Sequence, residues 1–379
     1  MEITDIEGVL CNGVKEGKYG LGMVKCRGTV AGVFTQNRIR AAPVVVCEEN
    51  ISDGVVEGVI VNSGNANAFT GEQGIADARE MCRIAAKLFG CDERDIAVAS
   101  TGVIGRKLDM DWIREKAPEV YGGMGGSVEN ANNFARSILT TDRFVKKASS
   151  DRGRIAAVAK GAGMIAPNMA TMLCFIFTAA KFDSGELYEI LRSAVDGSFN
   201  RLTVDGDTST NDTVLLISTG KERVDRQTFE EELKKVCYKL ARQIAKDGEG
   251  ATKVFDVVVK GAFSNEEADK IAKSVADSLL VKTAIFGRDP NWGRIVAAVG
   301  YSGAKIDDRI TVVFESDGEE VTLVESGRPT GREEEARKFM ETFDDFRIRI
   351  ELEVGDGEGL AIGCDLSYDY VKLNAEYTT

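Results

Sequence analysis

The residues that most restrict how this chain can fold lie near its middle, in MLCFIFTAA, Met172 to Ala180. An apolar run with neither charge nor polar alternation does not suit a strand with one wet face; it reads as a strand covered on both faces, so further layers must flank it. Neighbouring segments supply them. VVEGVIV (55–61) and DIAVAS (95–100) read as further buried strands, the second running into the turn Thr101-Gly102. Between them Ile75, Ala78, Met81, Cys82, Ala85, Leu88 and Phe89 recur at helical spacing, and Gly90 follows as the stop. After the central strand, Asp183 and Glu186 stand in capping-box positions ahead of a helix whose apolar face is Leu187, Ile190, Leu191, Ala194 and Val195.

The second half repeats this alternation in a more charged form. Thr228 and Glu231 are expected to open one helix, and Ser264 and Glu267 another after the strand VFDVVV (254–259). ITVVFES and EVTLVES flank Asp317-Gly318, a hairpin signal, and FRIRIELEV (346–354) alternates as a half-buried strand does. The expected class is therefore α/β, with loose boundaries near 220 and 285: a region 1–220, a small α/β unit 221–285 and a C-terminal α/β region 286–379.

Charge narrows the function. With 48 Lys and Arg against 61 Asp and Glu, the net charge of -13 argues against a nucleic-acid partner, because a polyanion is repelled from such a surface. The N-terminus lacks a basic region followed by an apolar run, and no long uncharged apolar stretch occurs, so a cytoplasmic protein without membrane partners is expected. Eight cysteines are scattered with no Cys-x-x-Cys spacing, and most are expected to be small buried hydrophobes rather than metal ligands. The five residues GGMGG (122–126) lack the Lys-Ser/Thr of a phosphate loop and read as a mobile surface loop.

The chain contains no histidine. A Ser-His-Asp or Cys-His mechanism cannot be built, and proton transfer near pH 7 falls to a shifted carboxylate, a lysine or an α-amine, whose ordinary pKa is about 7.7–8.0. That directs attention to KGAGMIAPNMATMLCF, Lys160 to Phe175, where Gly161, Gly163 and Pro167 let the chain bend ahead of Thr171 and the strand behind it holds the residue rigidly. A threonine activated by its own α-amine is an attested nucleophile, but the amine must first be uncovered. Attack of the Thr171 hydroxyl on the carbonyl of Ala170 would turn the peptide into an ester whose hydrolysis leaves Thr171 at the head of a new chain. Donors at the Thr101-Gly102 turn could stabilise the oxyanion.

Together with FTQNRIRAAPV, VNSGNANAFTG (61–71), ASTGVIG (99–105), LTTD (139–142), DGEGATK (247–253), GRDPNWGRI (287–295) and the terminal DLSYDYVKLNAEYTT, this stretch resembles the ornithine acetyltransferase (glutamate N-acetyltransferase) family of arginine biosynthesis along essentially the whole chain. The resemblance implies a layered αββα, N-terminal-nucleophile-like catalytic domain, cleavage between Ala170 and Thr171 into chains 1–170 and 171–379, two copies of each, and a tail that returns to the active site. It implies Thr171 as nucleophile, Thr101 and Gly102 as the oxyanion hole, and substrate contacts at Lys160, Thr171, Glu249, Asn374, Thr379 and one threonine of LTTD, Thr141 in preference to Thr140. The substrates implied are N2-acetyl-L-ornithine and L-glutamate, with no metal or organic cofactor and with acetyl-CoA as a second candidate donor. Trp292 and Arg294 read as packing and hydrogen-bonding residues. The alternative reading is an amidase or aminopeptidase with the same nucleophile and water as acceptor.

Overall fold

The structure is a computed structural model that describes residues 1–166 and 172–376. The described chain divides into two compact units: the first comprises Met1–Asn200 and Asp207–Ile244, the second Arg201–Gly206 and residues 245–376.

In the first unit the strands β1 (Leu10–Glu16), β2 (Tyr19–Phe34), β3 (Val55–Asn65), β4 (Ile96–Val103), β5 (Lys146–Ser149), β6 (Ile155–Lys160), β7 (Leu173–Ala180) and β8 (Thr213–Glu222) run in the order β4-β3-β2-β8-β7-β6-β5, with β1 paired to β2. Helices α1 (Ala42–Asn50), α2 (Gly71–Phe89), α3 (Met110–Gly122), α4 (Val128–Ser137), α5 (Ser184–Asp196) and α6 (Arg226–Lys246) form the covering layers. The layered α/β class is thus as expected from the sequence. Every residue of β7 is buried, as its unbroken apolar run requires. Leu173, Phe175 and Phe177 join the core built from β2, β3, β4 and α1–α4, where Phe175 meets Phe134 of α4 edge-on at 5.6 Å. On the other face Cys174 lies near Cys237 of α6.

The second unit carries β9 (Val254–Ala262), β10 (Thr311–Ser316), β11 (Glu319–Glu325), β12 (Arg328–Pro329), β13 (Asp345–Glu351) and β14 (Gly357–Cys364) in the order β12-β11-β10-β13-β9-β14. Its helices are α7 (Asn265–Asp277), α8 (Leu279–Phe286), α9 (Trp292–Gly300), α10 (Glu333–Thr342) and α11 (Tyr368–Glu376). The β10–β11 hairpin turns at Asp317 and Gly318, both with positive φ (48° and 84°), as a tight primed turn demands. β13 keeps its predicted alternation, burying Phe346, Ile348 and Ile350 in the second core.

Two local expectations change. Helix α6 begins a turn earlier than Thr228 and Glu231 suggested: Asp225 accepts from both the Thr228 backbone N–H (2.8 Å) and its hydroxyl (2.9 Å), and the carboxylate is the better acceptor for exposed helix N–H groups. The GGMGG segment is tied rather than loose, because Gly125 and Cys11 exchange two backbone hydrogen bonds of 3.1 and 3.2 Å along the edge of β1. All eight cysteines are free and seven are buried, as expected of small apolar side chains.

Candidate active site

The head of β7 is fixed from both sides. Leu173 pairs with Lys160 at the end of antiparallel β6 and with Thr213 at the start of parallel β8. Met172 is held through both backbone groups: its N–H donates to Asp212 Oδ1 at 3.0 Å, and its carbonyl accepts from the Thr213 N–H at 3.1 Å. The chain immediately after position 171 is therefore set in register with Lys160.

Lys160 is 2% exposed, and its Nζ donates to Thr101 Oγ1 at 3.2 Å and stands 3.9 Å from the Asp142 carboxylate. Asp142 also accepts from Lys146 Nζ (2.6 Å) and from the backbone N–H groups of Gly161 (2.7 Å) and Thr140 (3.0 Å). Burial works against its ionised form, but Lys160 and Lys146 outweigh burial and hold the carboxyl well below the usual carboxylate range. Lys15 completes the cluster by donating to Leu139 O (2.5 Å), Ser63 Oγ (2.8 Å) and Lys18 O (3.2 Å). Burial, with the nearby Lys160 charge adding and Asp142 opposing, brings the Lys15 ammonium down to about 8.

Thr101 and Gly102 close β4 beside this cluster. Thr101 is buried, whereas Gly102 is exposed at φ 136° and lies so close to β3 that a Cβ would come within 2.3 Å of the Gly64 carbonyl carbon. Only glycine fits there, and the parallel β3–β4 register breaks at the same point, between Gly64 and Asn65. The adjoining loop is braced from within: Asn65 Nδ2 donates to Arg106 O (3.2 Å) and Lys107 O (2.9 Å), and buried Asn67 adopts positive φ while donating to Gly74 O at 2.9 Å.

The structure brings Thr101, Gly102 and Lys160 together in the first unit. In LTTD, Thr140 is half-buried with its N–H on Asp142, and Thr141 is exposed. In the second unit Glu249 and Asn374 meet, Asn374 Nδ2 donating to Glu249 Oε2 at 2.9 Å. Ala170, Thr171 and Thr379 lie outside the described residues. Trp292 donates to Glu333 Oε1 at 3.1 Å and Arg294 to Leu280 O at 2.8 Å, the bracing roles expected for them. Among the described residues no group of side chains has the makings of a metal centre, and no helix is long and apolar enough to cross a membrane.

Sequence reasoning passed over Asp142, Lys146, Lys15, Asn211 and Asp212. Asp142 and Lys146 could have been found from their i,i+4 spacing, since Asp142 ends the LTTD block; the others sit in hairpin and loop polar runs that look like solvated turns.

The buried lysine–carboxylate cluster, the glycine turn and the clamped strand head gather at the strand ends of a layered α/β fold of a kind that enzymes use. The chain belongs to the ArgJ family, whose model matches residues 7–379. It is 74% identical over 379 residues, the full length of both chains, to the arginine biosynthesis bifunctional protein ArgJ of Archaeoglobus fulgidus. It is 50% identical to the glutamate N-acetyltransferase of Methanothermobacter thermautotrophicus, covering 100% of this chain and 97% of the other. Among solved structures, the bifunctional ArgJ protein of Bacillus halodurans superposes with a TM-score of 0.51 at 43% identity, covering 54% of this chain and 98% of that one.

Proposed function

We propose that this protein is a self-processing glutamate N-acetyltransferase that moves acetyl from N2-acetyl-L-ornithine to L-glutamate in arginine biosynthesis. The observation that carries the reading is the buried Lys160 ammonium on Thr101 Oγ1, beside the glycine-only turn and paired across the sheet with the residue two positions after Thr171. The likeness to named acetyltransferases along the whole chain supports it. So does the Bacillus halodurans structure, whose chain spans about half of this one, the length of one product of a precursor cut near its middle.

In the first step the Thr171 hydroxyl attacks the Ala170 carbonyl, the C–N bond breaks as the nitrogen takes up a proton, and water hydrolyses the resulting ester. The products are a carboxylate on Ala170 and a free α-amine on Thr171. That amine, with an ordinary pKa of about 7.7–8.0, then accepts the hydroxyl proton as Thr171 attacks the acetyl group. Donors at Thr101 and Gly102 stabilise the tetrahedral oxyanion, ornithine leaves with the proton, and the glutamate amine takes acetyl from the acyl-threonine. Lys160 pairs with a substrate carboxylate, Glu249 with an ammonium group, and Thr141, Asn374 and Thr379 complete the substrate contacts. The two chains assemble as two copies of each in the cytoplasm. The bifunctional name of the Archaeoglobus fulgidus relative favours a second activity, transfer from acetyl-CoA to glutamate.

Intact mass and N-terminal sequencing test the processing: the working protein should yield Thr-Met-Leu-Cys as a second N-terminus, and Thr171→Ala should stay whole and transfer nothing. Wild type that works uncut would overturn the reading. Release of acetate from acetylornithine without acetylglutamate would assign the site to an amidase, and a comparison of acetylornithine with acetyl-CoA reads out the second donor.

A further inference from the structure

One dipeptide links the two halves of this site. Asn211, 5% exposed, donates from Nδ2 to the carbonyls of Ala66 (2.6 Å) and Ser100 (2.8 Å), the latter directly preceding Thr101. Asp212, fully buried, holds the Met172 N–H, the amide that follows position 171. Their own segment is anchored in turn: Thr210 Oγ1 donates to Asn211 Oδ1 (2.6 Å), the Asn211 N–H to Ser209 Oγ (3.1 Å), and Thr35 donates its N–H to Asp212 O (3.0 Å) and its hydroxyl to Ser209 O (2.6 Å). Burying an amide and a carboxyl side by side is costly unless their bonds are needed. Asp212 Oδ2 is buried without a hydrogen-bond partner among the described residues, so packing alone does not explain an acid there. Burial raises its carboxyl well above the usual range, only partly opposed by the Met172 N–H, Thr35 and Lys160.

We propose that Asn211 and Asp212 are positioning residues for the reaction, Asn211 fixing the backbone that enters the Thr101-Gly102 turn and Asp212 fixing the strand head that carries the nucleophile. This rests on the acetyltransferase reading. Both contacts are to backbone atoms, so the pair sets the distance between nucleophile and oxyanion donors while leaving substrate binding to other residues. A displacement of about 1 Å between reacting groups costs on the order of 100-fold in rate.

The test uses the full chain, following appearance of the 171–379 fragment by intact mass and then steady-state transfer from acetylornithine to glutamate. Asp212→Leu should slow cleavage and lower kcat by about 100-fold with KM for both substrates nearly unchanged. Asp212→Asn, which keeps an acceptor for the Met172 N–H, should restore most of that loss. Asn211→Ser should lower kcat by at least about 10-fold, again without a matching rise in KM. The inference is overturned if a folded Asp212→Leu works as wild type does, if its defect lies only in KM, or if Asp212→Asn fails as badly. If circular dichroism shows Asp212→Leu unfolded, Asp212→Asn and Asn211→Ser decide by the same criteria. A wild-type chain that stays whole and inactive removes both readings; a working wild type with indifferent variants removes this one alone.

Discussion

Asp142 compensates two ammonium groups with one fully buried carboxylate, and that makes it the most sensitive single residue of the cluster. Replacing it by Asn removes the carboxylate that Lys146 and Lys160 share, and the loss of such a buried partner costs about 3–5 kcal/mol. Urea denaturation at pH 7 should show that loss. The sign of the pH dependence follows from the direction of the shift. The folded carboxyl is depressed, so its stabilisation is complete above the unfolded value of about 3.9 and disappears as pH falls through the lower folded value. The gap between wild type and Asp142→Asn should hold from neutrality down to about pH 4 and close only in stronger acid. Lys15 carries the same sign in a higher window. With its ammonium down at about 8, the unfolded chain binds the extra proton between there and the ordinary lysine value, so stability should gain as pH rises through that window. Its Cε resonance, followed by NMR, should titrate near pH 8; a value near that of ordinary lysines would contradict the burial argument.

At the scale of elements, regular patterns were legible and irregular polar loops were not. The unbroken run of β7, the alternation of β13, the Gly90 stop of α2, whose φ is 78°, and the Asp183–Glu186 box of α5 could all be read directly from spacing. The cap of α6 was placed one turn late because Thr228 and Asp225 both fit an N-terminal pattern, and only geometry shows the threonine donating to the aspartate. In the candidate site, Thr101, Gly102 and Lys160 stand out in the sequence because each lies at a strand end in a recognisable block, and the structure places Lys160 on Thr101. Asn211 and Asp212 escaped notice because STNDT has the composition of an ordinary turn, and its burial depends on contacts distant in sequence, with Ala66, Ser100 and Met172. Where a cap was read correctly its worth can be measured: Ser264 Oγ accepts from the Glu267 N–H at the start of α7, and Ser264→Ala should cost about 1 kcal/mol in denaturant titration with the slope unchanged.

For the molecule as a whole, the layered class followed from the apolar runs, whereas the division of the chain did not, because segment membership depends on pairings that no local pattern encodes. The thiols give a global check. Seven are buried and Cys91 alone is half-exposed, with burial and neighbouring carboxylates holding its pKa above the ordinary value. Dithionitrobenzoate should therefore label one site slowly in the native protein and all eight after denaturation, and a reducing agent should leave the melting temperature unchanged. The second compact unit includes the six residues Arg201–Gly206, where Leu202 bridges Ile362 and the Thr203 N–H meets the Ile362 carbonyl, although both flanking segments belong to the first. During synthesis that short excursion must wait for a partner strand some 160 residues downstream, so a chain halted just after Ile244 would hold the first body with six residues that have nothing yet to bridge.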